Sequence, residues 1–162
     1  MIYVNPDDFL GNPRIFTDDR NREAWRACKD LAERTLSEAK LAHNFYIVCG
    51  AQGSGKTQWV KQNPTHFQEP AIVLDAALPD VQARAPAIAQ GRRFACRMIC
   101  IWISCSLDIA LTRNRSRPPD QVVPDDVVRL VFKIFEPPTT DEGFDEVLRV
   151  DVAAIDSSSR LL

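Results

Sequence analysis

Residues 48–60 read VCGAQGSGKTQWV, and the spacing Gly50-x4-Gly55-Lys56-Thr57 within them is that of a phosphate-binding P-loop. The flanks agree. Phe45–Cys49 is continuously apolar, as a strand buried on both faces must be, and Lys56–Gln62 begins a helical stretch that stops before Pro64. Glycines let the backbone turn with its amides inward, so several N–H groups converge on phosphate oxygens where a helix starts. Gly50, Ala51, Gln52, Gly53, Ser54, Gly55, Lys56, Thr57 and Gln58 are therefore the expected nucleotide-binding residues. Lys56 would reach the β- and γ-phosphates of ATP, and the Thr57 hydroxyl would ligate Mg²⁺. With glycine near ~7% of residues, chance would place these four positions in well under ~1% of such chains.

Around this loop, apolar runs alternate with helical patterns. Ile2–Val4 ends at Asn5-Pro6; Ala71–Asp75, Met98–Ser104 and Glu146–Val150 are further apolar runs of strand length. Trp25, Cys28, Ala32, Leu36 and Ala39 recur at helical spacing and predict an amphipathic helix from about Asp19 to Lys40. Further helices are predicted near Pro79–Gln90, Ser106–Asn114 and Pro124–Glu136. Such alternation implies an α/β, three-layer sandwich: a parallel five-stranded sheet with helices on both faces, formed by one domain over 1–152. The tail 153–162 is expected to be loose.

Composition narrows the function. Of 162 residues, 45% are hydrophobic and 26% charged, with net charge −2, so no bulk charge favours nucleic acid or membrane. No signal peptide or transmembrane run is visible. Cys96-x3-Cys100-x4-Cys105 has the look of a metal set, yet it lies in FACRMICIWISC, which reads as a buried strand. The five cysteines are expected to be reduced core residues, which fits a cytoplasmic setting. Arg84, Arg92, Arg93 and Arg97 form a basic patch or, read more plainly, a solvated helix face.

Triphosphate binding suits several activities. A motor or switch ATPase would end a second apolar strand in Asp-Glu, but Asp75 is followed by Ala76-Ala77. Instead the chain carries LTRNRSRPP, with Arg113, Arg115 and Arg117 alternating just past a helix. An arginine segment over residues 113–123 that closes on a transferring phosphoryl group is a kinase lid; the alternative is a basic helix end favoured by the dipole. A kinase also needs a carboxylate to orient and deprotonate the acceptor hydroxyl. Asp7 and Asp8 follow the first strand, and parallel strands present their C-terminal ends along one edge, so this pair and the P-loop should share a crevice. A helix cap or turn after Pro6 would explain the same pair. The first 45 residues, with the strand and helix within 1–43, thus read as the acceptor side of the site, with Asp75 as a residue behind Mg²⁺ or the acceptor.

Taken together, GAQGSGKT, NPDDF, RNRSRPPDQVVP and FEPPTTDEGFDEV resemble the P-loop kinase family of polynucleotide 5′-hydroxyl kinases and, more distantly, zeta-toxin-like kinases. The resemblance implies that Asp7 is the general base, that Arg113 and Arg117 are the paired lid arginines, and that Val123-Pro124 lies near the nucleotide base. It also implies an ATP-dependent transfer to a hydroxyl, with a nucleic acid 5′ end, a nucleotide-sugar or another small molecule as acceptor. Three positions depart from the family pattern. The Asn-x-Asp-Asp unit precedes the P-loop rather than following it, Leu10 stands where an arginine is usual, and Ala76-Ala77 replaces Thr-Asn.

Overall fold

The strand segments carry almost nothing for water to solvate, and the architecture follows from that. In the computed structural model, which describes residues 1–39 and 43–152, Phe45–Cys49, Ala71–Asp75 and the stretch 98–101 are buried throughout. They lie in a sheet made of β1 (Ile2–Val4), β2 (Asn44–Cys49), β3 (Ala71–Asp75), β4 (Arg97–Ser104) and β5 (Glu146–Asp151). All neighbours pair parallel, in the order β1-β3-β2-β4-β5. The P-loop strand β2 is central, with Val48 opposite Asp75 on one side and Ile101 on the other. The N-terminal strand takes an edge and reaches β2 only through β3.

Among the described residues five helices surround the sheet: α1 (Asp18–Ser37), α2 (Lys56–Gln62), α3 (Val81–Arg93), α4 (Leu107–Arg115) and α5 (Asp125–Ile134). On one face Cys28, Ala32 and Leu36 of α1 and Ile88 of α3 pack on Phe45, Ile47, Ile72 and Met98. On the other, Trp59 and Val60 of α2 pack on Tyr46, Val48, Val73 and Ile101. The central strands β2 and β3 therefore bury successive residues in opposite layers, which is why their apolar runs have no polar alternate, whereas the edge strand β5 exposes Arg149 and Asp151.

Several helix bounds differ from the sequence expectation because caps overrule periodicity. Thr17 accepts from Arg20 N and starts α1 at Asp18; the helix ends at Ser37, so Ala39 falls beyond it and Lys40 lies outside the described residues. The buried stripe of α1 is Ala24, Cys28, Ala32 and Leu36, with Trp25 half-buried beside it. Asp80 caps Ala83 N, so α3 begins at Val81 rather than Pro79 and runs three residues past Gln90. Ser106 caps α4, and Pro124 precedes α5, which stops at Ile134. The tail expected to be loose, 153–162, lies outside the described residues.

The basic patch is corrected. Arg84 is fully buried and bidentate to Glu142, with Nε to Oε2 at 2.6 Å and Nη2 to Oε1 at 2.8 Å, while Nη1 donates to Leu78 O. Such a pair is tolerated in a core because all its hydrogen-bonding capacity on that side is used. Arg92 pairs with Asp145, Arg93 with Glu33 and Arg97 with Glu146. All four arginines are ion-paired, and Arg84 is not on a helix surface at all.

The five thiols are unpaired by disulfides, and four are buried. Cys96 and Cys100 pack in the α1–α3 layer whereas Cys105 packs beside α4, so the three do not converge. Among the described residues no helix is long and apolar enough to cross a membrane.

Candidate active site

The loop between β2 and α2 is shaped by what presses on it. Gly50 has φ +144°, and a Cβ there would stand 2.3 Å from Ile103 O; Gly53 has φ +79°, and a Cβ would stand 2.2 Å from Ala110 O. Glycine is required at both positions for conformation and for space. The loop is thus seated against the end of β4 and the body of α4, while Gly50 N–H donates to Ala77 O at 3.1 Å. Lys56 Nζ donates to the loop's own carbonyls, Gly50 O at 2.8 Å and Ala51 O at 3.1 Å. Burial holds its ammonium below the usual lysine range, Asp75 opposes that, and Arg117 adds to it. Two buried polar atoms of the loop, Ser54 Oγ and Gln52 Oε1, have no hydrogen-bond partner among the described residues.

Asp75 is the hub. It closes β3, is 1% exposed, and its Oδ2 accepts from Thr57 Oγ1 at 2.6 Å and from Tyr3 OH at 2.6 Å. Asn5 Nδ2 donates to the Tyr3 hydroxyl at 3.0 Å. Burial and the neighbouring Asp75 charge push the Tyr3 phenol well above its ordinary range, so it remains a donor. Edge strand and P-loop helix are therefore joined through one carboxylate. The parallel register makes this possible, since Val4 lies opposite Leu74 and Val48 opposite Asp75.

Asp7 sits in a 3-10 turn, Pro6–Phe9, capped by the Asn5 side chain accepting from Asp7 N at 2.9 Å. Its Oδ2 pairs with Arg14 Nη1 at 3.0 Å. Arg14 in turn donates its backbone N–H to Asp120 Oδ2 at 2.9 Å, which ties the acceptor-side loop to the segment after α4. Arg113 and Arg115 lie in the last turn of α4 rather than past it; only Arg117 follows the helix. Arg113 Nη1 is 3.3 Å from Ser54 O. Burial lowers the Arg117 guanidinium, Asp7 raises it and Arg14 lowers it, so these three charges are within electrostatic reach of one another. Arg115 turns away to Asp125.

A cleft of about 560 Å³ joins the two halves. Asp7, Gly53, Gly55, Lys56, Thr57, Gln58, Arg113 and Arg117 line it, as do Tyr3, Asn5, Asp8, Arg14, Lys61 and Gln121. Gly50, Ala51, Gln52 and Ser54 are not among its lining residues, and Asp75 meets it through Thr57. Val123 and Pro124 do not line it either: Val123 exchanges backbone hydrogen bonds with the buried Asn114 side chain and packs near Ala110 and Val128. Tyr3, Asn5 and Arg14 were missed by the sequence reading. Asn5 stood next to the quoted acidic pair and was legible there, but Tyr3 looked like a core strand residue and Arg14 like part of a loop.

The donor set suits a hard cation carried by a triphosphate, because a hydroxyl and a carboxylate oxygen stand 2.6 Å apart beside a lysine. Among the described residues no group of three or more His, Cys, Asp or Glu is placed to hold a metal unaided, and Mg²⁺ bound with phosphates needs only one or two carboxylates. Comparison of the chain with protein-family models and with curated proteins found no match.

Proposed function

We propose that this protein is an ATP-dependent phosphotransferase that moves a γ-phosphoryl group to a hydroxyl acceptor, with a polynucleotide 5′-hydroxyl as the first candidate. One observation carries the reading: Lys56, Thr57, Asp7, Arg113 and Arg117 line a single cleft, with Asp75 hydrogen-bonded behind Thr57. Lys56, Arg113 and Arg117 supply positive charge where negative charge moves during transfer. Lys56 donates two of its three ammonium hydrogens to loop carbonyls, which leaves one for a phosphate oxygen. Thr57, backed by Asp75, would hold Mg²⁺, whose charge would neutralise the β- and γ-oxygens.

Asp7 orients the acceptor hydroxyl and takes its proton as the oxygen–phosphorus bond forms and the bond to the ADP oxygen breaks. Arg14 supplies beside Asp7 the guanidinium that the sequence lacks at Leu10, which favours an acceptor carrying its own anionic group. Tyr3 and Asn5 hold Asp75 and the Asp7 turn in place. The test is transfer of labelled phosphate from ATP to 5′-hydroxyl RNA, 5′-hydroxyl DNA and nucleotide-sugars, with Lys56→Ala and Asp7→Asn as controls. Labelled polynucleotide that disappears in both controls supports the reading. Transfer only to nucleotide-sugars redirects it to a small-molecule kinase, and ATP binding with transfer to no acceptor makes the protein a nucleotide-binding regulator.

A further inference from the structure

On the sheet face away from α2, a second cavity of about 570 Å³ opens between α1 and α3. Its cause is local sequence. The helices line it with small side chains, Cys28 and Ala32 from α1 and Ala83 and Ala87 from α3, where larger residues would have closed the gap. They are tied to each other by Gln90 Nε2 donating to Lys29 O at 2.8 Å and by Arg93 pairing with Glu33 at 2.6 Å. Phe45, Ile72 and Leu74 form an apolar floor, and Trp25 is a half-buried wall.

The charges at this cavity have one sign. Arg26 and Lys29 line it, both residues are exposed, and neither side chain has a hydrogen bond or ion pair among the described residues. No carboxylate lines it. Asp8 and Asp7, on the turn packed against α1, act on the Cys28 thiol, which burial chiefly raises to about 12. That end of the cavity disfavours an anion, and the Arg26–Lys29 side favours one.

We propose that this cavity binds a small amphipathic anion of the medium-chain carboxylate class, with its chain over Phe45, Ile72 and Leu74 and its head group at Arg26 and Lys29. The volume lies in the ~300–1,000 Å³ range of small-molecule sites. A protein partner fits less well. The exposed large apolar side chains are Met1, Phe9, Ile15 and Phe16, four on or just before α5, and Val81, so α1 offers no apolar shoulder for a flat surface to cover. The proposal is independent of phosphoryl transfer.

Titration calorimetry of the full chain with decanoate, below its micellar range, tests it, with decanol as the neutral counterpart. Saturable binding of one decanoate per chain is expected, weakened at least tenfold in the Arg26→Gln/Lys29→Gln double variant. Ala87→Leu should fill the gap, remove binding, and leave thermal stability and ATP affinity unchanged or higher. Decanol binding as tightly as decanoate, undiminished affinity in the double variant, or no saturable binding would overturn the proposal. The double variant lies on exposed positions, so it decides the matter even if Ala87→Leu fails to fold.

Discussion

The cleft has a proposed nucleotide side and a proposed acceptor side, and the two are built in different ways. The nucleotide side is contiguous: Gly50 to Gln58 form one loop and the start of one helix, and the conformation of that loop depends on glycines within it. The acceptor side is assembled. Tyr3 meets Asp75 across seventy-two positions, Arg14 reaches Asp120 across one hundred and six, and Asp7 depends on Asn5 for its turn. A contiguous site can be specified by a short motif and placed anywhere in a chain. An assembled one works only where the topology delivers its parts, and the edge position of β1 next to β3 delivers these. The strand order in space keeps β1 beside β3, the strand that ends in Asp75.

The most severe way to break this contrast is to remove one side. A chain starting at Asn44 retains the whole P-loop but loses β1, the buried stripe of α1 and the Tyr3–Asp75 bond. Leu36 and Val4 contribute ~1.5–3 kcal/mol each and Ala24, Cys28 and Ala32 less, but their loss also uncovers Phe45, Ile47 and Ile72, and a domain is only marginally stable. The shortened chain is expected to be insoluble or molten by near-ultraviolet circular dichroism. A soluble, ATP-binding product would mean that the nucleotide side needs no acceptor side.

Point substitutions sharpen the contrast. Lys56→Ala should abolish detectable ATP binding in calorimetry while the fold persists, since it removes a charged side chain that contacts only the loop. Asp7→Asn should do the reverse, leaving ATP affinity near normal and lowering turnover by roughly 10²–10⁴, the range for loss of a positioned base. If Asp8→Asn carries that loss instead, the wrong carboxylate has been assigned. Arg117→Ala is expected to reduce turnover by about 10²-fold and ATP affinity much less, because charge near a transferring group matters most in the transition state. Equal losses in steady-state kinetics and binding would make Arg117 a ground-state ligand.

The smallest expected effect joins the two sides. Tyr3→Phe deletes one hydrogen bond to a charged acceptor, about 1–2 kcal/mol in denaturant unfolding, with ATP affinity and turnover changed severalfold at most. A larger loss of turnover than of stability would show that Tyr3 acts on the reaction through Asp75. An unchanged stability would show that Thr57 alone is enough to hold that carboxylate.

Much of this protein was legible before any coordinates. The central strands were visible because each is apolar on successive residues, and the P-loop because glycine spacing is a local property of the backbone. Helix ends were less legible. A Ser or Asp side chain that accepts one amide hydrogen decides where a helix begins, and periodicity does not register that. Arginines misled for a related reason: Arg84 looks like a surface cation in a linear reading and is inside the molecule because Glu142, fifty-eight residues later, folds back onto it.

By itself the sequence determined the phosphate loop, the strand inventory and the acidic turn after Ile2–Val4, since each rests on the chemistry of neighbours along the chain. Only tertiary structure decided the strand order, the convergence of Tyr3, Thr57 and Asn5 on Asp75, the pairing of Arg14 with Asp7, and the cavity between α1 and α3. The reason is physical. Hydrogen bonds and ion pairs act over a few ångströms in space, and distance along the chain carries no information about them until parallel strands have set the register.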